Sequence, residues 1–380
     1  MTEQAKVPAI RFAGFTDPWE QRKLGDVASS FDYGLNAAAT EYDGQNKYLR
    51  ITDIDDETHE FSKSDLTTPL ADLAMSADYL LKESDLLFAR TGASVGKTYL
   101  YRQFDGMVYF AGFLIRARIG EGADPEFAYQ ATLTDAYKKY VAITSQRSGQ
   151  PGVNAQEYAD YQLMLPSKTE QQQIGMTLRS LDDLITLHQR KYDKLVIFKK
   201  SMLEKMFPKD GEPVPEIRFA GFTDPWEQRK FSDIVDVCSG KDYKHLEEGP
   251  IPVYGTGGFM TSVDEALSYD RDAVGIGRKG TIDKPYLLKA PFWTVDTLFY
   301  AIPKSDMDLE FVHCSFLNVD WKSKDESTGL PSLSKEAINE TIALVPSFNE
   351  QSRLGEFFSD LDSLITLHQR KLELLQNIKK

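Results

Sequence analysis

The sequence predicts a chain of mixed α/β or α+β class: two pseudo-repeated globular modules joined by two long helices that pair as an antiparallel coiled coil. Three observations lead there. Ile10–Lys23 reads IRFAGFTDPWEQRK, and Ile217–Lys230 is the same fourteen residues. Two heptad-patterned stretches, opening at Ser167 and Ser347, share the octamer LITLHQRK at Leu184–Lys191 and Leu364–Lys371. Between these repeats, short apolar runs of strand character alternate with helical ones.

The repeats set the expected organisation. The lead-in peptide recurs at a displacement of 207 residues and the helix at 180, so the intervening segment is 27 residues shorter in the second half. Residues 1–165 hold the lead-in peptide and first module, and 166–213 the first helix and a linker. Residues 214–345 repeat the peptide and hold the second module, and 346–380 the second helix.

In the modules, Lys47–Ile51, Phe110–Ala117, Ala273–Ile276 and Leu298–Ile302 read as strands, and Pro125–Ile143 as helical. Landmarks align between otherwise dissimilar sequences. Asp85–Gly92 (DLLFARTG) corresponds to Asp272–Gly280 (DAVGIGRKG), each an apolar strand ending in an Arg-x-Gly turn. Ser148–Asn154 stands where Ser327–Leu333 stands, upstream of the last strand.

Each long helix follows a proline, Pro166 or Pro346, and opens Ser-x-x-Glu-Gln, the signature of a capping box in which the serine satisfies a free amide at the helix start and the glutamate reaches back. Ile174, Leu181, His188, Leu195 and Met202 recur every seven residues, beside Leu178, Ile185 and Tyr192. Leu354, Leu361, His368 and Leu375 do the same, beside Phe358, Ile365 and Leu372. Sustained heptads are the coiled-coil pattern. Forty residues would make a rod of roughly 60 Å. Asp182 and Asp183 lie early in the first helix and Lys194, Lys199 and Lys200 late; Asp360 and Asp362 precede Lys379 in the second. Antiparallel pairing sets opposite charges together. The expected seam is Leu181, Ile185, His188 and Leu195 against Leu361, Ile365, His368 and Leu375. Lys380 aligns with Lys200, so Ser201–Phe207 has no counterpart in the second helix: either this is a shortened form or the coil is uneven at one end.

Composition narrows the function. With no run of about 18 apolar residues the chain has no membrane span, and MTEQAKVPAIRF lacks the apolar core of a signal peptide, so a cytoplasmic location is expected. Cys238 and Cys314 have no metal-ligand spacing and read as small buried side chains in a reducing compartment. The five histidines form no metal motif, and a buried, hydrogen-bonded role is expected for His188 and His368. Gly92-Ala-Ser-Val-Gly96-Lys97-Thr98 has three residues between its glycines where a phosphate loop needs four, so it reads as a tight turn and not as a nucleotide hydrolase site. No catalytic cluster is found.

The duplicated IRFAGFTDPWEQRK, the Pro-Ser-x-x-Glu-Gln helix starts, LITLHQRK in both helices, and the pair LLFARTGASVGK and AVGIGRKGTIDK together resemble the specificity subunit of type I restriction-modification enzymes over nearly the whole chain. The resemblance implies a non-catalytic subunit with two target-recognition domains, each reading half of a bipartite site on double-stranded DNA. It implies that the coiled coil sets the gap and docks two modification subunits, which bring S-adenosylmethionine. Restriction subunits would bring ATP- and Mg-dependent translocation and cleavage. Base readers should be Arg, Lys, Gln, Ser or Thr on module loops. The candidates are Arg90, Thr91, Lys97, Arg147, Ser148 and Gln150 in the first module. In the second they are Arg278, Lys279, Lys284, Lys324, Ser327 and Thr328. The formal charge of −14 keeps a different reading in view, a coiled-coil scaffold or inhibitor without sequence-specific DNA binding.

Overall fold

A computed structural model describes residues 8–380 except 57, 103–105, 147, 148, 210, 326 and 380. The chain forms two compact units, Met1–Leu187 with Leu375–Lys380, and His188–Leu374, so the boundary falls inside both long helices and not at their ends.

Each unit is built on a four-stranded sheet. In the first, β1 (Ala28–Tyr33), β2 (Asp85–Ala89), β3 (Thr98–Leu100) and β4 (Leu114–Ile119) lie in the order β1-β4-β2-β3. In the second, β5 (Val235–Ser239), β6 (Ala273–Gly277), β7 (Tyr286–Leu288) and β8 (Leu298–Pro303) lie in the order β5-β8-β6-β7, the same topology. All the ladders are antiparallel. Strand β2 is buried on both faces, which is why it is continuously apolar. Leu86 and Phe88 face a core with Phe127, Tyr137 and Tyr158, while Leu87 and Ala89 face a second with Tyr99, Phe110 and Leu114.

Three elements depart from the sequence expectation. Phe110–Ala117 is not one strand. Val108–Phe110 runs parallel to Lys47–Leu49, and β4 starts a new strand after a turn at Ala111–Phe113. Pro125–Ile143 is two helices, α1 (Pro125–Ala131) and α2 (Asp135–Thr144), because Thr134 caps the second through the amide of Tyr137. Lys47–Ile51 likewise gives up its last residue to a 3₁₀ turn at Ile51–Asp53. Cys314 is buried, and burial pushes its thiol above the ordinary range; Cys238, on edge strand β5, is partly exposed.

Helix α3 (Lys168–Lys205) keeps half of the expected capping box, with the Ser167 hydroxyl accepting the amide of Glu170 at 3.4 Å, and a knot replaces the other half. Glu170 does not reach back. Its carboxylate, fully buried, takes two bonds from Arg11 of the lead-in peptide, Nε at 2.6 Å and Nη2 at 2.7 Å. Gln171 Oε1 accepts the amide of Asp124 while its Nε2 donates to the Pro166 carbonyl, joining a strand end to the N-cap of α1. The second unit repeats every bond of the knot. Arg218 grips Glu350 at 2.7 and 2.8 Å, and Gln351 bridges Asp308, the N-cap of α4 (Leu309–Leu317), to Pro346 at the start of α5 (Phe348–Lys379). Each lead-in peptide then adds a short strand to the one before the helix: Glu20–Lys23 on Gln162–Leu165, and Glu227–Lys230 on Ile342–Val345.

The helices pair antiparallel. In the second unit, His188 Nδ1 meets His368 Nδ1 at 2.8 Å and Lys199 Nζ binds Asp362 at 2.6 Å, so numbers rise on one helix as they fall on the other. Leu195, Met202 and Leu203 pack on Leu354, Phe358 and Leu361. Within the first unit Lys379 pairs with Asp182, the repeat image of the Lys199–Asp362 pair. Leu181, Ile185, Ile365 and Leu375 are partly buried, as seam residues should be.

Two predictions follow from these contacts. A Cβ on Gly355 would overlap the Asp308 carboxylate, while one on Gly175 would sit 3.0 Å from that of Asp124. Gly355→Ala should therefore lower the melting temperature more than Gly175→Ala, read by calorimetry. His368 is held below its ordinary value by burial and then by the charges of His188, Lys191 and Lys371. The unfolded chain takes that proton near its ordinary value while the folded chain resists, so this contribution is present above about pH 6.5 and is lost as pH falls through it. Thermal melts of the native chain should fall more steeply from about pH 7 to 5 than those of His368→Gln.

Candidate nucleic-acid interface

The two units end the same central strand in the same way. Strand β2 ends at Arg90, whose amide donates to the Phe113 carbonyl at 3.0 Å and whose carbonyl accepts the amide of Val153 at 2.9 Å. Thr91 bridges to Gly152, and the Gly92 amide donates to Pro151 at 3.0 Å. In the second unit, Arg278 after β6 donates to Thr297 at 2.8 Å and accepts from Leu333 at 2.9 Å. Lys279 bridges to Ser332, and Gly280 donates to Pro331 at 2.8 Å. A strand end, a hairpin turn and a loop are thus clamped together twice.

The side chains on this clamp differ. The Arg90 guanidinium lies 4.9 Å from the Tyr33 ring centroid and donates to the Gly112 carbonyl at 3.4 Å, half-buried. Arg278 is exposed, with its guanidinium 5.8 Å from the Phe299 ring centroid and one bond of 3.3 Å to the Asp296 carbonyl. Gln150 is exposed beside Gly92, and the residue at its place in the second loop is the exposed Leu330. In the second loop Asp325 accepts the amides of Ser327 and Ser332, both at 2.9 Å, which holds its carboxyl below the usual range and fixes the approach to Thr328.

The candidates therefore divide. Arg90, Thr91 and Gln150 share one clamp, and Arg278, Lys279, Ser327 and Thr328 share the other. Arg147 and Ser148 lie outside the described residues. Lys97 is elsewhere: its Nζ donates to the Ile54 carbonyl at 2.9 Å and pairs with Asp56, and it lines a groove of about 1190 Å³ with His59, Lys138 and Asp182. Gly96 donates its amide to the Tyr158 hydroxyl, so that glycine turn is a structural one. Lys284 is exposed one residue beyond Asp283, which pairs with Lys322; Lys324 closes a 3₁₀ helix and is partly buried. Sequence reasoning missed Tyr33, Phe113 and Asp325. Phe113, 60 % exposed at the hairpin tip, was hidden by reading Phe110–Ala117 as one strand.

Among the described residues, no group of three or more His, Cys, Asp or Glu is placed to hold a metal, and no helix is long and apolar enough to cross a membrane. The family model described as the type I restriction modification DNA specificity domain matches residues 16–196 and 223–377, one match over most of each repeat. The chain belongs to that family. Membership makes it a DNA-recognition subunit of a type I restriction-modification system, without a catalytic role of its own. Two curated relatives from Methanocaldococcus jannaschii are similar along their length. The type I restriction enzyme MjaVIII specificity subunit is 21 % identical, covering 96 % of this chain and 91 % of the relative. The putative type I restriction enzyme MjaX specificity subunit is 20 % identical over the same shares. The crystal structure of the type I restriction-modification system S subunit from M. genitalium has the same fold, with a TM-score of 0.70 at 16 % identity, covering 99 % of this chain and 97 % of that one.

The two arginines of this specificity chain should separate in stability. Arg90→Ala loses a ring contact and a bond and should cost about 1 kcal/mol. Arg278→Ala loses a longer ring contact and one weak bond at an exposed site and should cost under about 0.5 kcal/mol. Denaturant melts of the two variants check this, and a larger loss at Arg278 would mark it as structural.

Proposed function

We propose that each unit reads one half of a bipartite site on double-stranded DNA through its clamp, and that the paired helices set the unread gap. The observation that supports this most directly is the pairing of identical clamp geometry with different side chains: Thr91 and Gln150 in one unit, Lys279 and Leu330 in the other. Glutamine suits adenine, lysine suits guanine, and an apolar side chain suits the thymine methyl group. The same backbone would thus present two chemistries to two half-sites.

The helices would also receive two modification subunits. Leu184, Leu187, Leu364 and Leu367, all from the repeated octamer, remain between 42 and 45 % exposed, outside the seam. Exposed leucines recurring on a regular surface fit a protein interface. S-adenosylmethionine would act on those partners, and ATP and Mg on restriction subunits, in the cytoplasm. A net charge of −14 then has a place, because partner subunits contribute phosphate contacts and the isolated chain binds DNA weakly.

Reconstitution with the modification subunits, followed by mapping of methylated sites, tests both parts. Two half-sites at one fixed spacing are expected. Thr91→Ala with Gln150→Ala should relax one half and leave the other intact. A single continuous motif, or loss of discrimination in both halves, would sink the reading.

A further inference from the structure

The hairpin turn of each clamp is built on one backbone. In the first unit it is Ala111–Phe113, between the strand Val108–Phe110 and β4. In the second it is Val295–Thr297, between Trp293–Thr294 and β8. The Ala111 amide donates to the Leu49 carbonyl at 2.9 Å, and the Val295 amide to that of Tyr254 at 3.0 Å. Leu114 donates back to Ala111 at 2.9 Å, and Leu298 to Val295 at 3.0 Å. A neighbouring segment crosses each turn: Gly34 donates to Leu114 as Gly240 does to Leu298, both at 3.1 Å. Its next residue donates to Phe110 at 2.8 Å from Leu35, and to Thr294 at 2.9 Å from Lys241. A Cβ on Gly34 would overlap the Ala111 carbonyl, and one on Gly240 that of Val295, so the crossing requires glycine in both units. Arg90 then takes the carbonyls of Phe113 and Gly112, and Arg278 those of Thr297 and Asp296.

These matched turns carry different side chains, Gly112-Phe113 in one and Asp296-Thr297 in the other. In the first unit the residues around the tip are anchored. Phe110 and Leu114 are wholly buried in one core, and Ala111 is buried in another. Phe113 joins no core among the described residues and is 60 % exposed. The fold therefore gains little from its ring. What the fold does is hold that ring in place, beside Arg90, Thr91 and Gln150, side chains of the kinds that match base edges in the major groove. An apolar ring in such company has one counterpart on those edges, the thymine 5-methyl group. With the backbone already fixed, only the side chain remains to be ordered on contact, which keeps the entropic cost of recognition low.

We propose that Phe113 is a specificity-determining residue, which selects an A·T pair in the first unit's half-site by apolar contact with the thymine 5-methyl group. This rests on the DNA-reading role of the clamp proposed above. The second unit presents a carboxylate and a hydroxyl at the same place, so the contact bears on one half-site only.

Base analogues test the contact in the complex reconstituted with its modification subunits, once its methylated sites are mapped. Each thymine of the two half-sites, on either strand, is replaced in turn by deoxyuridine, which lacks only the methyl group, and binding of the duplex is titrated. At one thymine the replacement should weaken the native complex about fourfold, the effect of one buried methyl group. The same replacement should leave complexes carrying Phe113→Ala or Phe113→Ser unchanged. Both variants should also relax that position in the map of methylated sites and keep the other half intact. Indifference of the native complex to uracil at every thymine would overturn the proposal. So would half-sites without an A·T pair, or a loss at uracil of equal size in the native and variant complexes. These results leave a bipartite site standing and remove only the role of Phe113, whereas a native complex with no bipartite site overturns the reading of the clamp itself.

Discussion

A buried carboxylate at the head of each long helix organises everything attached to it. Glu170 and Glu350 sit where water does not reach, and an unpaired charge there would cost several kcal/mol. The partner arginine comes from the lead-in peptide, 159 residues away in one unit and 132 in the other. A helix can therefore bury its first turn only when the far end of its module has returned to it. The adjacent glutamine makes the same demand of the backbone, since its amide group satisfies a strand-end carbonyl and an N-cap amide at once. The module between those points is free to vary, because its two ends are held by residues outside it.

The same economy governs the helix pair. A repeat displaced by 180 residues maps the Lys199–Asp362 pair onto Lys379–Asp182 and His188 onto His368. One helix sequence, used twice, is thus self-complementary when antiparallel: its late lysine meets the early aspartate of its twin. In a parallel pair the lysines would face each other. The histidine at the centre of this scheme meets its own copy, Nδ1 to Nδ1 at 2.8 Å, and burial with the neighbouring charges holds His368 below its ordinary value.

Much of this was legible in the sequence because it is periodic or duplicated. Heptads specify a coiled coil whatever lies around them, and an identical fourteen-residue repeat specifies two copies of one framework. What was misread depended on partners distant in sequence. Ser-x-x-Glu is a local rule, and nothing local says that Glu170 will be taken by Arg11; the only signal was that Arg11 and Arg218 recur with the glutamates. Phe110–Ala117 is apolar but for Arg116, yet its halves pair with different strands, so a turn at Ala111–Phe113 was invisible to a pattern of burial alone. Lys97 stood out as a basic residue beside glycines, but a lysine tied to Asp56 and a carbonyl serves the fold first.

The Arg-x-Gly turn shows how a fixed backbone carries a variable surface. Its glycine is required, since Gly92 and Gly280 adopt φ of +73° and +89°, where a side chain is strained. Its arginine is tied through both its amide and its carbonyl, to Phe113 and Val153 in one unit and to Thr297 and Leu333 in the other. The middle residue is bridged through its backbone, to Gly152 or Ser332, but its side chain is under neither constraint: Thr91 is extended, at φ −145° and ψ 158°, a conformation open to any residue. Threonine stands there in one unit and lysine in the other, while the residues on either side do not change. A turn whose backbone is held at all three positions lets the middle side chain differ between the units without refolding the strand beneath it.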